Sequence, residues 1–202
     1  MEPTPPRPKR DAACFFGRFL RRPTRVGAIL PSSQQLARVL TGDLSALGPG
    51  DLVVEYGPGT GSITQRIAEL LPSGVRYLGI EVDETFIARL EARFPQLEFH
   101  HGSVADVERI LADSRLGRPS RIISGLPFAS LPAPVQDAVV RGTSQVLADG
   151  GEFRSFQYVH AYRMASAQRF RSAMAAEFSH YQRTAAVVRN VPPAYVLVYS
   201  RR

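Results

Sequence analysis

The sequence predicts an α/β fold, a mostly parallel seven-stranded sheet with helices that ends in a C-terminal antiparallel hairpin. Three observations predict it. An apolar, β-branched run, Leu52 to Val54, ends at Glu55-Tyr56 and passes through Gly57, Gly59 and Gly61 into a segment whose apolar residues, Ile63, Ile67, Ala68, Leu70 and Leu71, repeat with helical spacing. A second short run, Tyr77 to Ile80, ends in Glu81-Val82-Asp83. Strand-like and helix-like stretches then alternate, until two strand-like stretches follow one another at the C-terminus.

Glycine permits positive φ and close approach of a ligand to the main chain, and the helix beyond offers free N–H groups to an anion. The spacing is G-x-G-x-G, not the G-x-G-x-x-G of dinucleotide folds, and the lysine of a phosphate-binding loop is missing. A bare strand-to-helix turn is the alternative. Glu55 followed by this turn resembles motif I of the class I S-adenosylmethionine (SAM) methyltransferases. The resemblance implies a Rossmann-like fold in which Tyr56, Gly57, Gly59, Thr60 and Gly61 cradle the aminoacyl end of SAM. Glu55 would meet its ammonium, directly or through water. The G-I-E-V-D stretch resembles the next element of these enzymes, with Glu81 accepting from both ribose hydroxyls and Val82 beside it.

Composition sets the class. The 202 residues fit one domain, and 44% hydrophobic content with scattered charge argues for a globular chain. Cys14 is the one cysteine, so an intrachain disulfide is excluded and a reducing compartment is expected. No charge-free apolar run approaches the ~20 residues of a spanning helix, and no signal-peptide pattern opens the chain. The net charge is +7, and Arg7, Lys9, Arg10, Arg18, Arg21, Arg22 and Arg25 face only Glu2 and Asp11 in the first 25 residues. Such a basic end implies an anionic partner.

Residues 1–10 are proline-rich and expected to be a disordered tail. Residues 11–22 have the pattern of a short amphipathic helix, with Ala12, Phe15, Phe16, Phe19 and Leu20 on one face and Arg18, Arg21 and Arg22 on the other, stopped by Pro23. So short a helix needs a surface. A membrane interface with anionic lipids suits it, with docking on the domain as the alternative. Ser32 or Ser33 caps the next helix, through Leu36, Ala37, Val39 and Leu40. In methyltransferases of this type the segment before the first strand closes over the cofactor, so the resemblance makes Ser32 and Ser33 cofactor-binding candidates. Segment 11–33 would therefore tie the membrane to the site, and 34–202 would form the methyltransferase domain.

A helix is expected from Glu84 to Phe94, and a third strand from Leu97 to His101. Many relatives have an acid next, on the adenine amino group. Ser103 stands there, so Ser103 and Val104 are the adenine-edge candidates. His100 and His101 lack metal-ligand spacing, and no metal is expected.

The fourth strand, Arg121 to Ile123, runs into Ser124-Gly125-Leu126-Pro127-Phe128. Base-directed nitrogen methyltransferases carry Asn or Asp here, to accept from the exocyclic amine. Gly125 holds that position. Adenine N6 is a weak nucleophile that needs the acceptor, whereas a deprotonated alkylamine does not. Ser124 and Gly125 are assigned to the cofactor, Leu126 and Pro127 to the substrate. A helix from Ala133 to Leu147, a fifth strand from Glu152 to Tyr158 and a helix from Ala165 to Phe178 follow. The last strands are read as Tyr181–Arg189 and Ala194–Tyr199 around Asn190-Val191-Pro192-Pro193. Arg163, Arg169 and Arg171 form a second candidate lipid-facing patch.

Residues 19–33, 53–61, 124–132 and 190–196 together resemble the bacterial phospholipid N-methyltransferases of the type similar to rRNA dimethyltransferases. The resemblance implies threefold methylation of phosphatidylethanolamine to phosphatidylcholine at the cytoplasmic membrane face, with S-adenosylhomocysteine as by-product. A lipid ammonium has a pKa of roughly 10 and must lose a proton before attack. Tyr158, His160, His180 and Tyr195 are the catalytic candidates, with Tyr162 and Tyr181 nearby and Tyr158 and Tyr195 the first choices. Tyrosine rings would also hold a methylated cation, at ~0.5–2 kcal/mol. A monomer without a nucleic-acid partner is expected. An RNA adenine dimethyltransferase and a non-catalytic SAM- or lipid-binding protein are the competing readings.

Overall fold

The computed structural model describes residues 33–201. The tail, the amphipathic helix with Phe15, Phe19, Arg18, Arg21 and Arg22, and Ser32 lie outside the described residues. Helix α1 (Gln34–Thr41) is followed by β1 (Leu52–Tyr56), α2 (Ser62–Leu70), β2 (Arg76–Glu81), α3 (Glu84–Arg93), β3 (Glu98–His101) and α4 (Val107–Ser114). Then come β4 (Arg121–Ser124), α5 (Ala133–Val146), β5 (Glu152–Tyr158), α6 (Ala165–Glu177), β6 (His180–Arg183) and β7 (Ala194–Ser200).

The seven strands form one sheet in the order β3-β2-β1-β4-β5-β7-β6. β1 to β5 are mutually parallel, and β7 is antiparallel to both β5 and β6. β1 is buried along its whole length, as a central strand covered on both faces must be. Side chains alternate across the strands. Leu52, Val54 and Tyr56 join a core with α4, α5 and α6. Val53 joins a core with α1 and α2 on the other face. The chain winds outward from β1 through β2 to β3, then returns to β4 on the opposite side. That reversal opens a crevice at the carboxyl ends of β1 and β4, where ligands of open α/β sheets bind.

Two elements differ from expectation. Helix α4 was not anticipated, although Val107, Ile110 and Leu111 are its buried residues at helical spacing. Strand β6 ends at Arg183; beyond it the Thr184 N–H donates to the Val196 carbonyl at 3.0 Å and Val187 bridges to Ala194. Thr184 Oγ1 accepts the Val196 N–H at 3.1 Å, a side-chain bond in place of the returning main-chain one. Ser33 is the helix cap, its Oγ accepting the Leu36 N–H at 3.1 Å. The Ser33 N–H donates to buried Asn190 Oδ1 at 3.0 Å, and Asn190 Nδ2 donates to the Pro192 carbonyl at 2.7 Å. The start of α1 is thereby fastened to the loop before β7.

Candidate active site

The glycine loop and the β4 loop are packed main chain against main chain. Gly57 has φ +67° and a Cβ there would lie 2.6 Å from Leu126 Cδ2. Gly125 donates its N–H to the Tyr56 carbonyl at 2.8 Å. A Cβ on Gly125 would stand 2.8 Å from the Gly57 carbonyl oxygen, closer than real Cβ contacts come. Gly125, which stands where a base-directed methyltransferase is expected to carry Asn or Asp, is therefore also the residue that lets the two loops touch.

Glu81 closes β2 beneath the glycine loop and is only 5% exposed. Its Oε2 accepts the Gly59 N–H at 3.0 Å, and its Oε1 accepts those of Val82 at 2.8 Å and Asp83 at 3.1 Å. Burial raises its pKa above the usual carboxylate range, against the lowering effect of these amides, and nearby Asp83 adds to the rise. A carboxylate has about four acceptor positions, so capacity remains for a ligand hydroxyl.

Glu55 is completely buried. Its Oε2 accepts from Tyr77 Oη at 2.5 Å and from Thr64 Oγ1 at 2.8 Å. Its Oε1 has no partner among the described residues. Burial pushes its pKa up to about 7, opposed by the Tyr77 and Thr64 bonds and assisted by the charge of Glu81. An orphaned carboxylate oxygen at the end of β1 fits a ligand ammonium, directly or through a bridging water. Tyr77 and Thr64 escaped the sequence reading. The signal was parity: Tyr77 lies two residues from Gly79, which pairs with Glu55, so both side chains share a face.

Several expected side chains are used elsewhere. The Tyr56 ring is core, with its hydroxyl 3.3 Å from Thr143 Oγ1, so only its main chain meets the crevice. Val104 is 1% exposed and packs with α4 and α5, which corrects its assignment as an adenine-edge side chain. Leu126 fills core space under Gly57 and is 3% exposed, so it is not a lipid-facing residue; Pro127 beside it is half-buried. Ser124 is buried, its Oγ accepting the Leu126 N–H at 3.3 Å, and Ser103 Oγ accepts the Ala105 N–H at 3.2 Å. Thr60 is exposed, with its Oγ1 3.3 Å from Ser62 Oγ, and Gly61 starts α2 at φ +81°. Val82 is half-buried, and its carbonyl accepts from the His101 ring at 3.1 Å. Among the described residues no group of three His, Cys, Asp or Glu is placed to hold a metal.

The catalytic candidates are divided. Tyr158, at the carboxyl end of β5, stacks on exposed His160 with centroids 5.6 Å apart and planes 11° apart, on the α1 face. Burial raises the Tyr158 pKa. Tyr195 pairs with Gln157, the neighbour of Tyr158, and so lies on the opposite, α6 face. His180 pairs with Ser200, whereas Ala194 pairs with Tyr158 at the crevice end. Six residues of β7 separate those two ends, roughly 20 Å, so His180 lies outside the site. The Tyr195 ring faces the Arg183 guanidinium at 4.5 Å, and Tyr162 faces Arg171 at 3.8 Å. Those rings are occupied by the protein's own cations, which corrects the expectation that Tyr195 holds a methylated ammonium.

The family described as "Methyltransferase domain" matches residues 54–153. The ornithine lipid N-methyltransferase of Singulisphaera acidiphila is 32% identical over 147 residues, covering 71% of this chain and 76% of the relative. The ribosomal RNA small subunit methyltransferase A of Synechococcus sp. is 32% identical over 102 residues, 49% of this chain but only 34% of that protein. Among solved structures, the TehB-like SAM-dependent methyltransferase of Corynebacterium glutamicum aligns with a TM-score of 0.59 at 14% identity, over 84% of this chain and 88% of the other. The seven-stranded architecture is shared with it.

Proposed function

This chain belongs to the class I SAM-dependent methyltransferases, and we propose that its acceptor is the primary amine of a phospholipid, phosphatidylethanolamine, methylated stepwise to phosphatidylcholine. The single observation that carries the reading is Gly125. Its missing side chain is required by the 2.8 Å approach of the Gly57 carbonyl, so the loop has no place for the acceptor that an adenine N6 needs. The similarity to an ornithine lipid N-methyltransferase over most of both chains supports a lipid amine. The similarity to the rRNA enzyme supports the competing reading over a third of that protein only.

Bound SAM supplies an electrophilic methyl group on a sulfonium. Gly57 and Gly59 would present main chain to it, Glu81 would accept from its ribose, and the free Glu55 oxygen would meet its ammonium. His160, stacked on Tyr158 where β5 opens beside β4, would take the proton of the lipid ammonium on its imidazole. No helix among the described residues is long and apolar enough to cross a membrane. Access to lipid would come at the inner membrane face, through the basic segment before residue 33 and its anionic-lipid contacts.

The test is transfer of labelled methyl from SAM to three acceptors: phosphatidylethanolamine in anionic vesicles, ornithine lipid in micelles, and ribosomal RNA. Label in phosphatidylethanolamine is expected. Label in ornithine lipid alone would move the substrate to that class, and label in RNA alone would end the lipid reading.

A further inference from the structure

The tyrosines that the methyl-transfer reading leaves over form one cluster with two arginines. Tyr162 and Tyr181 hydroxyls lie 3.2 Å apart. Arg171 and Arg183 stand over the Tyr162 ring at 3.8 and 5.1 Å, and Arg183 stands over Tyr195 at 4.5 Å. Arg171 is held by Gln157 Oε1 at 2.6 Å and the Tyr162 carbonyl at 2.9 Å. Among the described residues neither guanidinium is ion-paired with a carboxylate, although six other arginines are. Two uncompensated cations beside two hydroxyls make a positive, donor-rich surface. The Tyr162 hydroxyl registers that field: burial works against its ionisation, yet the Tyr181 bond and the two guanidinium charges outweigh it and lower its pKa. Tyr181 and Arg183 are exposed, so the cluster is open to a ligand.

We infer that Arg183, Arg171, Tyr162 and Tyr181 form an oxyanion subsite that takes a phosphate group. A guanidinium fork matches phosphate oxygens, with charge-assisted bonds about twice as strong as neutral ones. The same charges repel an ammonium, so the amine end of a zwitterionic ligand is turned away from the cluster. That polarity has a use. Tyr195, beside the cluster, pairs with Gln157 one residue before the end of β5, and β5 adjoins β4 at the crevice. Arg183 pairs with Leu197, three residues of β7 from Ala194 and roughly 10 Å back from the crevice end, and β7 lies two strand spacings, about 10 Å, from β4. A phosphate held here sits on the α6 face beside the crevice, with the amine end of its ligand turned away from the arginines. As the headgroup phosphate of a phospholipid substrate, the ligand rests on the reading given under Proposed function; as an oxyanion, it does not.

The experiment titrates the full chain with sn-glycero-3-phosphoethanolamine, with inorganic phosphate and with a single-stranded oligonucleotide, by NMR or calorimetry. Saturable binding is expected. Arg183→Gln should weaken it about tenfold, as loss of one charge-assisted pair predicts, while SAM affinity and melting temperature hold. Tyr181→Phe should weaken it by less. Tighter binding of the diester than of inorganic phosphate assigns a lipid headgroup, and the reverse assigns a free phosphate. Preference for the oligonucleotide would overturn the headgroup assignment. Absence of saturable binding, or equal affinity in Arg183→Gln, would overturn the subsite. In turnover, the KM of Arg183→Gln should rise more for phosphatidylethanolamine than for phosphate-free ornithine lipid, and an equal rise would count against a phosphate contact. Transfer to no lipid at all would remove the proposed substrate and leave the binding titration to decide the subsite.

Discussion

Tyr77 donates its hydroxyl to Glu55 at 2.5 Å across the space left by Gly79, where a Cβ would lie 2.8 Å from that hydroxyl. The glycine of the second strand thus positions the acid of the first. Removing the donor in Tyr77→Phe leaves a buried carboxyl with one partner fewer, a cost of about 1–3 kcal/mol. Urea unfolding should show that loss. An unchanged midpoint would mean that the bond contributes nothing.

The same carboxyl makes stability depend on pH. Its pKa is about 7 in the fold, against an ordinary 4.5. The folded chain holds a proton that the unfolded chain releases, so the contribution is fully present below pH 4.5 and is lost as pH rises through about 7. The total is on the order of 3 kcal/mol. Glu55→Gln cannot titrate, and its unfolding free energy without SAM should fall less steeply between pH 4.5 and about 7, the interval between the two values. A slope equal to that of the wild type would assign the effect to another group.

Glu81→Gln keeps the shape of the side chain and removes its charge. SAM affinity, measured by calorimetry, should fall by about 10- to 100-fold, the worth of hydrogen bonds to a charged group. An affinity within twofold of wild type would place the ribose elsewhere.

Gly125→Ala and Gly125→Asn both force atoms into the 2.8 Å gap to the Gly57 carbonyl. Each should lower stability by about 1–3 kcal/mol, as overpacking does, and weaken SAM binding because the glycine loop must shift. Gly125→Asn should gain no adenine methylation. A stable Gly125→Asn variant that methylates adenine would show that the loop can house the base acceptor after all.

Asn190→Ala cuts the link between the start of α1 and the loop before β7. The Ser33 N–H and the Pro192 carbonyl both lose a partner, and a loss of about 1–3 kcal/mol is expected from thermal or urea unfolding. Equal stability would mean that the two segments hold their places without the link.

Local pattern was enough for the glycine loop, for Glu81 at the end of β2 and for the sheet with its antiparallel last strand, because each follows from neighbours a few residues apart. It was also enough to mark Gly125 as the departure from a base-binding loop. Short range failed at α4 and at the early end of β6, where a side chain, Thr184, takes over one main-chain bond. Whether Tyr158 and Tyr195 share a site depends on register: one residue of offset between β5 and β7 turns their rings to opposite faces. The distance of His180 from the crevice, the Tyr77 bond to Glu55 and the arginines over the tyrosine rings are likewise contacts between segments remote in sequence. The chain's own order determined its fold and its methyl donor, through motifs whose atoms are near neighbours. Only tertiary packing decided which of its aromatic residues lie on the α1 face at the crevice and which lie under arginines on the α6 face, since strand pairing and burial set those directions.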